Sequence, residues 1–210
     1  MSNFHNQTAQ LIATIAQNLP GMSSNIMQGW IENPKALQKF LLGLNGPVPE
    51  FKVWKTIKLG TDLKTAYDFR RVLKDNGFKM DDYVFDILSN PDFTKMATKE
   101  TEIDLFNVSV ADLGFEREAT REQIHIRAKK HGLTICPAEV GPQLRLQYKD
   151  QPNGECLHIA MEQVIGINGS ASYTSLFKVE SDSGLYLSCY SASPACVWSA
   201  NSRFVFSRRK

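Results

Sequence analysis

Four polar side chains in the second half of the chain are of types that could do chemistry together: Glu139, Gln143, Arg145 and His158. Three of them lie in one short stretch, CPAEVGPQLRLQY, residues 136–148. Its first seven residues crowd together a cysteine, two prolines, a glycine and a carboxylate. An arginine can hold an anion or a carbonyl through its planar fork of donors. A glutamate or histidine within reach can move a proton, and a glutamine amide can orient a ligand. Together they would make a small polar binding site. Cys136 offers a second chemistry, because a thiolate beside a base such as His131 or His158 can act as a nucleophile. A small-molecule enzyme, for example a hydrolase using Glu139, His158 or Cys136, is therefore an alternative to a binding protein.

For these groups to meet, the chain must present them on one face. The run QLRLQYK alternates polar and apolar residues, which is the period of a strand. Read so, Leu144, Leu146 and Tyr148 point to the core, and Gln143, Arg145, Gln147 and Lys149 point away. The run ECLHIAME alternates again, with Leu157, Ile159 and Met161 opposite Cys156, His158, Ala160 and Glu162. The turn formers of DQPNG, 150–154, would join the two strands. That register sets Arg145 near His158, with Glu139, on the Pro-Ala-Glu-Val-Gly-Pro turn, closing one end. The same pattern arises with no site at all, since an antiparallel sheet commonly leaves one face in water.

The rest of the chain supplies both helices and strands. TAQLIATIAQNL and ENPKALQKFLLGLNG have helical spacing, with Asn33 placed to cap, Pro34 suited to a first turn and Leu37, Phe40, Leu41 and Leu44 as a stripe. NGPVPE, 45–50, reads as a linker, which divides the chain into a helical segment, 1–48, and an α+β domain, 49–210. FKVWKTI alternates like a strand. A helix then follows, with Thr61 as a plausible cap, a stripe of Leu63, Ala66, Tyr67, Arg70 and Leu73, and Gly77 after its end. KMDDYVFDILSNPDF reads as a shorter helix opened by Asp81 and stopped by Pro91. EIDLFNVSVADLGF is strand-like but apolar in both phases, which a bulge near Phe106 would reconcile. ATREQIHIRAKKHGL carries a capping box in Thr120 and Gln123, with Ile124, Ala128 and Leu133 to bury. SLFKVE and LYLSCY, separated by SDSG, read as a hairpin, and CVWSANSRFVFSRR holds a last strand or pair. The expected fold class is α+β, with a mostly antiparallel C-terminal sheet.

Composition narrows the function classes. The 24 Lys+Arg balance 22 Asp+Glu, a net charge of +2, so no global field draws the chain to nucleic acid or a membrane. The carboxylates of Asp81, Asp82 and Asp86 would repel DNA phosphates from that short helix. Nucleic-acid binding is left to Lys129, Lys130 and a basic C-terminus of Arg203, Arg208, Arg209 and Lys210. No run approaches the ~20 apolar residues of a membrane helix, and the first residues make a poor secretory signal. Cys136, Cys156, Cys189 and Cys196 form no close pair, so neither a zinc site nor any other metal or cofactor is expected. Free thiols and a cytoplasmic location follow. The Gly-rich phosphate loops, the GxSxG elbow and HExxH are all missing.

The segments VWKTIKLGTDLKTAYDFRRVLKDNGFKMDDYVFDIL, VSVADLGFEREATREQIHIRAKKHGL and CPAEVGPQLRLQYKDQPNGECLHIAMEQV resemble a family of uncharacterised bacterial proteins in which similar segments follow in the same order. The resemblance covers roughly residues 50 to 210 and is most specific in CPAEVGPQLRLQYKDQP. It implies that this part of the chain is one unit rather than two independent modules. The family has glycine in LGTGLK where this chain has Asp62, and tryptophan in GEWL where it has Cys156. No activity is attached to the family, so the resemblance implies no catalytic residue. The leading expectation is a non-enzymatic binding or interaction protein, its partner a protein or a small molecule, using Glu139, Gln143, Arg145 and His158. The cysteine spacing yields a first test. Thiol titration of the denatured, unreduced protein should find all 4 cysteines free, and a lower count would put disulfides into the fold.

Overall fold

Leu105, Phe106 and Val108 are all buried, although neighbours on a strand point to opposite faces. In the computed structural model the cause is a sheet covered on both sides. The structure describes residues 2–17, 21–43, 50–90, 93, 96–165, 174–182, 184–193 and 196–208. The chain forms two compact units, Met1–Val48 and Pro49–Lys210.

The second unit is built on strands β1 (Lys55–Leu59), β2 (Lys79–Met80), β3 (Thr101–Ser109), β4 (Ala119–Thr120), β5 (Cys156–Ile159), β6 (Val164–Ile165), β7 (Thr174–Glu180), β8 (Tyr186–Ser191), β9 (Val197–Trp198) and β10 (Arg203–Ser207). The main sheet runs β1-β3-β10-β5-β7-β8-β2, with β6 also on β7. β10 pairs antiparallel with β3 but parallel with β5, and β2 is parallel to β8. The fold is α+β. Its sheet is mixed, however, which corrects the expectation of a mostly antiparallel one. β3 and β5 run in opposite directions, so β10, inserted between them, cannot be antiparallel to both. The short ladder β4–β9 stands apart.

Register along β3 is unbroken, from Leu59↔Thr101 to Lys55↔Leu105 on one side and from Ser207↔Leu105 to Arg203↔Ser109 on the other. No bulge is needed at Phe106, because both faces are buried. The same holds for β10, where Phe204, Val205 and Phe206 are fully buried in succession. Such uninterrupted apolar runs mark strands covered on both faces.

Four helices complete the unit: α4 (Ala66–Asp75), α5 (Asp82–Leu88), α6 (Arg121–Lys130) and α7 (Val140–Gln147). They follow α1 (Ser2–Gln17), α2 (Ser24–Glu32) and α3 (Pro34–Gly43) of the first unit. α4 is capped by Thr65 rather than Thr61, in a box with Asp68, and buries Phe69 and Leu73 while Tyr67 and Arg70 face water. Gly77 follows it at φ +75°. Asp81 caps α5 through the amide of Val84 at 2.9 Å. Its second oxygen accepts from Cys189 N at 2.8 Å, tying the helix to β8. The Thr120–Gln123 box opens α6, which buries Ile124 and Ala128. The β7–β8 hairpin forms as expected.

QLRLQYK is not a strand. Residues 140–147 are α7, buried along its length from Val140 to Arg145. Pro142 falls in its first turn, where its missing N–H leaves nothing unpaired. Leucine, glutamine and arginine favour helix, and no β-branched residue follows Val140. The face carrying Phe177 and Val205 receives α7. Beyond it, Phe69, Phe93 and Phe177 meet edge to face at 5.9 and 6.0 Å. α6 reaches the other face, where His125 stands edge-on to Phe206 at 6.2 Å.

In the first unit Asn33 accepts from Ala36 N at 3.1 Å, the expected cap. Ile12, Ile26 and Ile31 are exposed. The side chains of Phe40 and Leu41, residues 44–49, Pro91 and residues 209–210 lie outside the described residues. Among the described residues no helix is long and apolar enough to cross a membrane.

The packing of α7 on the sheet can be tested at Gly141. A Cβ there would sit 2.4 Å from Phe177 Cδ2, so Gly141→Ala should lower stability by about 1 to 3 kcal/mol through overpacking. Chemical denaturation reads this directly. A variant as stable as the parent would mean that α7 does not lie against Phe177.

Candidate functional site

The helix changes where the four candidate residues meet. Glu139 directly precedes α7, and its carboxylate is buried. Oε1 accepts from Gly60 N at 2.7 Å and Oε2 from Ala97 N at 2.9 Å. Gln143, one turn on, donates to Oε1 at 3.3 Å and to Thr61 Oγ1 at 2.7 Å. Two backbone amides and a side-chain amide thus replace water around the carboxylate, the condition for burying such a group. Gly60 is held at φ +66°, and a Cβ there would lie 2.1 Å from Lys99 O. Gln147 continues the clamp, its amide pairing with both the N–H and the C=O of Lys58, each at 2.9 Å.

Arg145 is on a different side of α7 and does not touch Glu139. It is 0% exposed. Nη1 donates to Gln151 Oε1 and to Glu180 O, and Nη2 donates to Tyr148 O. The guanidinium lies over the Phe78 ring at 5.2 Å. Burial draws its pKa down to about 10. The structure joins Glu139 to Gln143 and separates both from Arg145 and His158. The water-facing polar surface expected to hold all four does not form, because that register required a strand at 143–149.

His158 is on β5, as its alternation implied, paired with Phe204 of β10 and Lys178 of β7. Its ring packs against Tyr190, Phe204 and Trp198 at 5.1, 5.2 and 6.1 Å. His158 Nδ1 and Trp198 Nε1 are both buried without a hydrogen-bond partner. Beside them Lys178 and Glu180 are paired at 2.8 Å, and Ser188 donates to Glu180 at 2.6 Å. Burial holds His158 down to about 4, Lys178 adds to the effect, and Glu180 opposes it.

Three of the thiols, Cys136, Cys156 and Cys189, are poor nucleophiles. Cys136 is buried, its Sγ donates to Val205 O at 3.4 Å, and burial pushes its pKa up to about 12. Burial likewise raises Cys156 and Cys189. All four cysteines are free. Among the described residues no group of three or more His, Cys, Asp or Glu side chains could hold a metal ion.

The sequence reading missed a groove of about 680 Å³ between α6, the segment 133–137 and the end of β10. Ile103, Ile126, Ile135 and Phe206 form its apolar walls, with Lys129, Glu162 and Arg208 also lining it. Its size falls in the range of ~300 to 1,000 Å³ common for small-molecule sites. His125 lines it with Nε2 buried and unpartnered. Burial lowers His125 to about 4, helped by Arg121. One signal in the sequence pointed here. Ile126 is off the buried stripe of Ile124 and Ala128, and it is 52% exposed. No family model, curated protein or solved structure matches this chain.

The two depressed histidines make stability depend on pH. Unfolded, each titrates at its ordinary 6.5, and folded at about 4. Between those values the unfolded chain binds more protons, so the stabilisation is complete above pH 6.5 and is lost as pH falls through 4. The loss is about 3 kcal/mol for each ring. His158→Phe keeps an aromatic ring in the cluster and should remove the His158 share of this acid slope. Denaturation series from pH 7 to pH 4 should separate variant from parent, and parallel curves would show that His158 is not held neutral.

Proposed function

We propose that this chain is a non-enzymatic binding protein and that the groove beside α6 is where it binds. The observation that carries this reading is an open, mainly apolar groove of about 680 Å³ walled by Ile103, Ile126, Ile135 and Phe206. Its size and its apolar lining are those of common small-molecule sites. A binding role is preferred to the hydrolase alternative on chemical grounds. Cys136 is held as a thiol, since its pKa lies far above neutral, and thiol catalysis needs the thiolate. Glu139 is occupied by backbone amides. Nucleic-acid binding is less favoured, because Arg203 is bonded to Asn107. The four free thiols suit a reducing compartment such as the cytoplasm.

Isotope-labelled full-length protein titrated with octanol, and separately with octanoate, tests the site. Amide resonances of residues 125–135 and 206–208 should shift, while those of Glu139 and Arg145 stay in place. Shifts scattered over the sheet, or none with either probe, would overturn the assignment.

A further inference from the structure

We infer that the ligand of this groove is an amphipathic monocarboxylate, an apolar body carrying one negative charge. This rests on the groove being the binding site and adds the chemistry of its occupant. The apolar body follows from the walls. Ile103, Ile126, Ile135 and Phe206 offer carbon surface to whatever enters, and burying apolar surface is the main favourable term in such a site.

The charge follows from the cations. Lys129 and Arg208 line the groove and both are exposed. Among the described residues neither forms an ion pair, unlike Lys55, Lys58 and Lys178. Arg208 is further constrained by stacking over Phe106 at 4.6 Å, which leaves the edge of its guanidinium, where the donors are, for a planar acceptor. A carboxylate matches that fork.

The number of charges follows from Glu162, which lines the same groove. Among the described residues, two cations and one carboxylate line the groove and leave a single positive charge to be balanced. A dianion would bring its second charge against Glu162, and a cation would be opposed by both Lys129 and Arg208. His125, neutral at pH 7 because its pKa lies near 4, adds no charge.

Calorimetric titration of the full chain with octanoate, octanol, octylammonium and acetate, at low salt and pH 7, tests this. Octanoate should bind about tenfold tighter than octanol, the effect expected of two partly exposed charge pairs. Octylammonium should bind more weakly than octanol, and acetate not measurably. Lys129→Gln should weaken octanoate about threefold and leave octanol unchanged. Lys129→Gln with Arg208→Gln should bring octanoate to the level of octanol. Ile126→Asp, at an exposed position where folding is not at risk, should abolish octanoate binding. Equal affinity for octanol and octanoate would overturn the charge inference and leave the groove as a binding site. Tightest binding of octylammonium would overturn it too and make Glu162 the deciding group. Acetate binding as tightly as octanoate would remove the apolar body from the inference. If none of the octyl probes binds, both the inference and the site fall.

Discussion

A guanidinium shut away from water holds the end of α7, the turn after it and the end of β7 together. Arg145 sends its donors to Tyr148 O, Gln151 Oε1 and Glu180 O. Gln151 then donates to Glu155 O and Val179 O, at 3.1 and 3.2 Å, and Tyr148 donates to Glu155 at 2.9 Å. Among the described residues no carboxylate accepts a hydrogen bond from the guanidinium. Its charge is met by carbonyl and amide oxygens and by the face of Phe78, and burial lowers its affinity for the proton. A buried cation is tolerated only where such groups converge. The chain from 145 to 155 therefore has to curl back on the helix, and β5 begins only where that curl ends. Glu139 does the same at the other end of α7, drawing in the amides of Gly60 and Ala97. The helix is pinned at both ends by polar groups of opposite sign that never meet.

What could be read in the sequence was whatever depends on neighbours in sequence. The capping box at Thr120 and Gln123, the cap at Asp81, the left-handed Gly77 and the β7–β8 hairpin are all local devices, and each is present. QLRLQYK fails for a physical reason. Leu144 and Tyr148 share a face at either period, being four residues apart, so a run of seven residues cannot separate strand from helix. Leu146 would have decided the matter, and it is only half-buried. A helix buried nearly all round shows no polar stripe to betray it. The strand beside β5 comes instead from residues 203–207 and 174–180, which no local pattern connects to it.

The candidate site shows the same division. The strand carrying His158 was legible, but its surroundings were not, since Tyr190, Trp198 and Phe204 arrive from three later segments. The groove beside α6 is assembled from residue 103, residues 125–137, residue 162 and residues 206–208. Only the exposed Ile126 hinted at it. Arginine and glutamate in one short stretch suggested a site because such residues are costly to bury. Here much of that cost is met by backbone groups, the amides of Gly60 and Ala97 for Glu139 and the carbonyls of Tyr148 and Glu180 for Arg145.

The place of β10 in the sheet sets an order of assembly. It is the last of the ten strands described to be made, yet it stands between β3 and β5 and pairs with both. Until residues 203–207 leave the ribosome, these two strands have no common partner. Leu105, Phe106, Leu157 and Ile159, all buried in the finished sheet, must wait with their strand edges open. Pairings this distant in sequence form slowly, and unpaired apolar edges are what chaperones bind and aggregates grow from. Translation thus runs ahead of folding in this protein, and a ribosome stalled just short of Arg203 would present a nascent chain whose central strands are made but cannot yet close into one sheet.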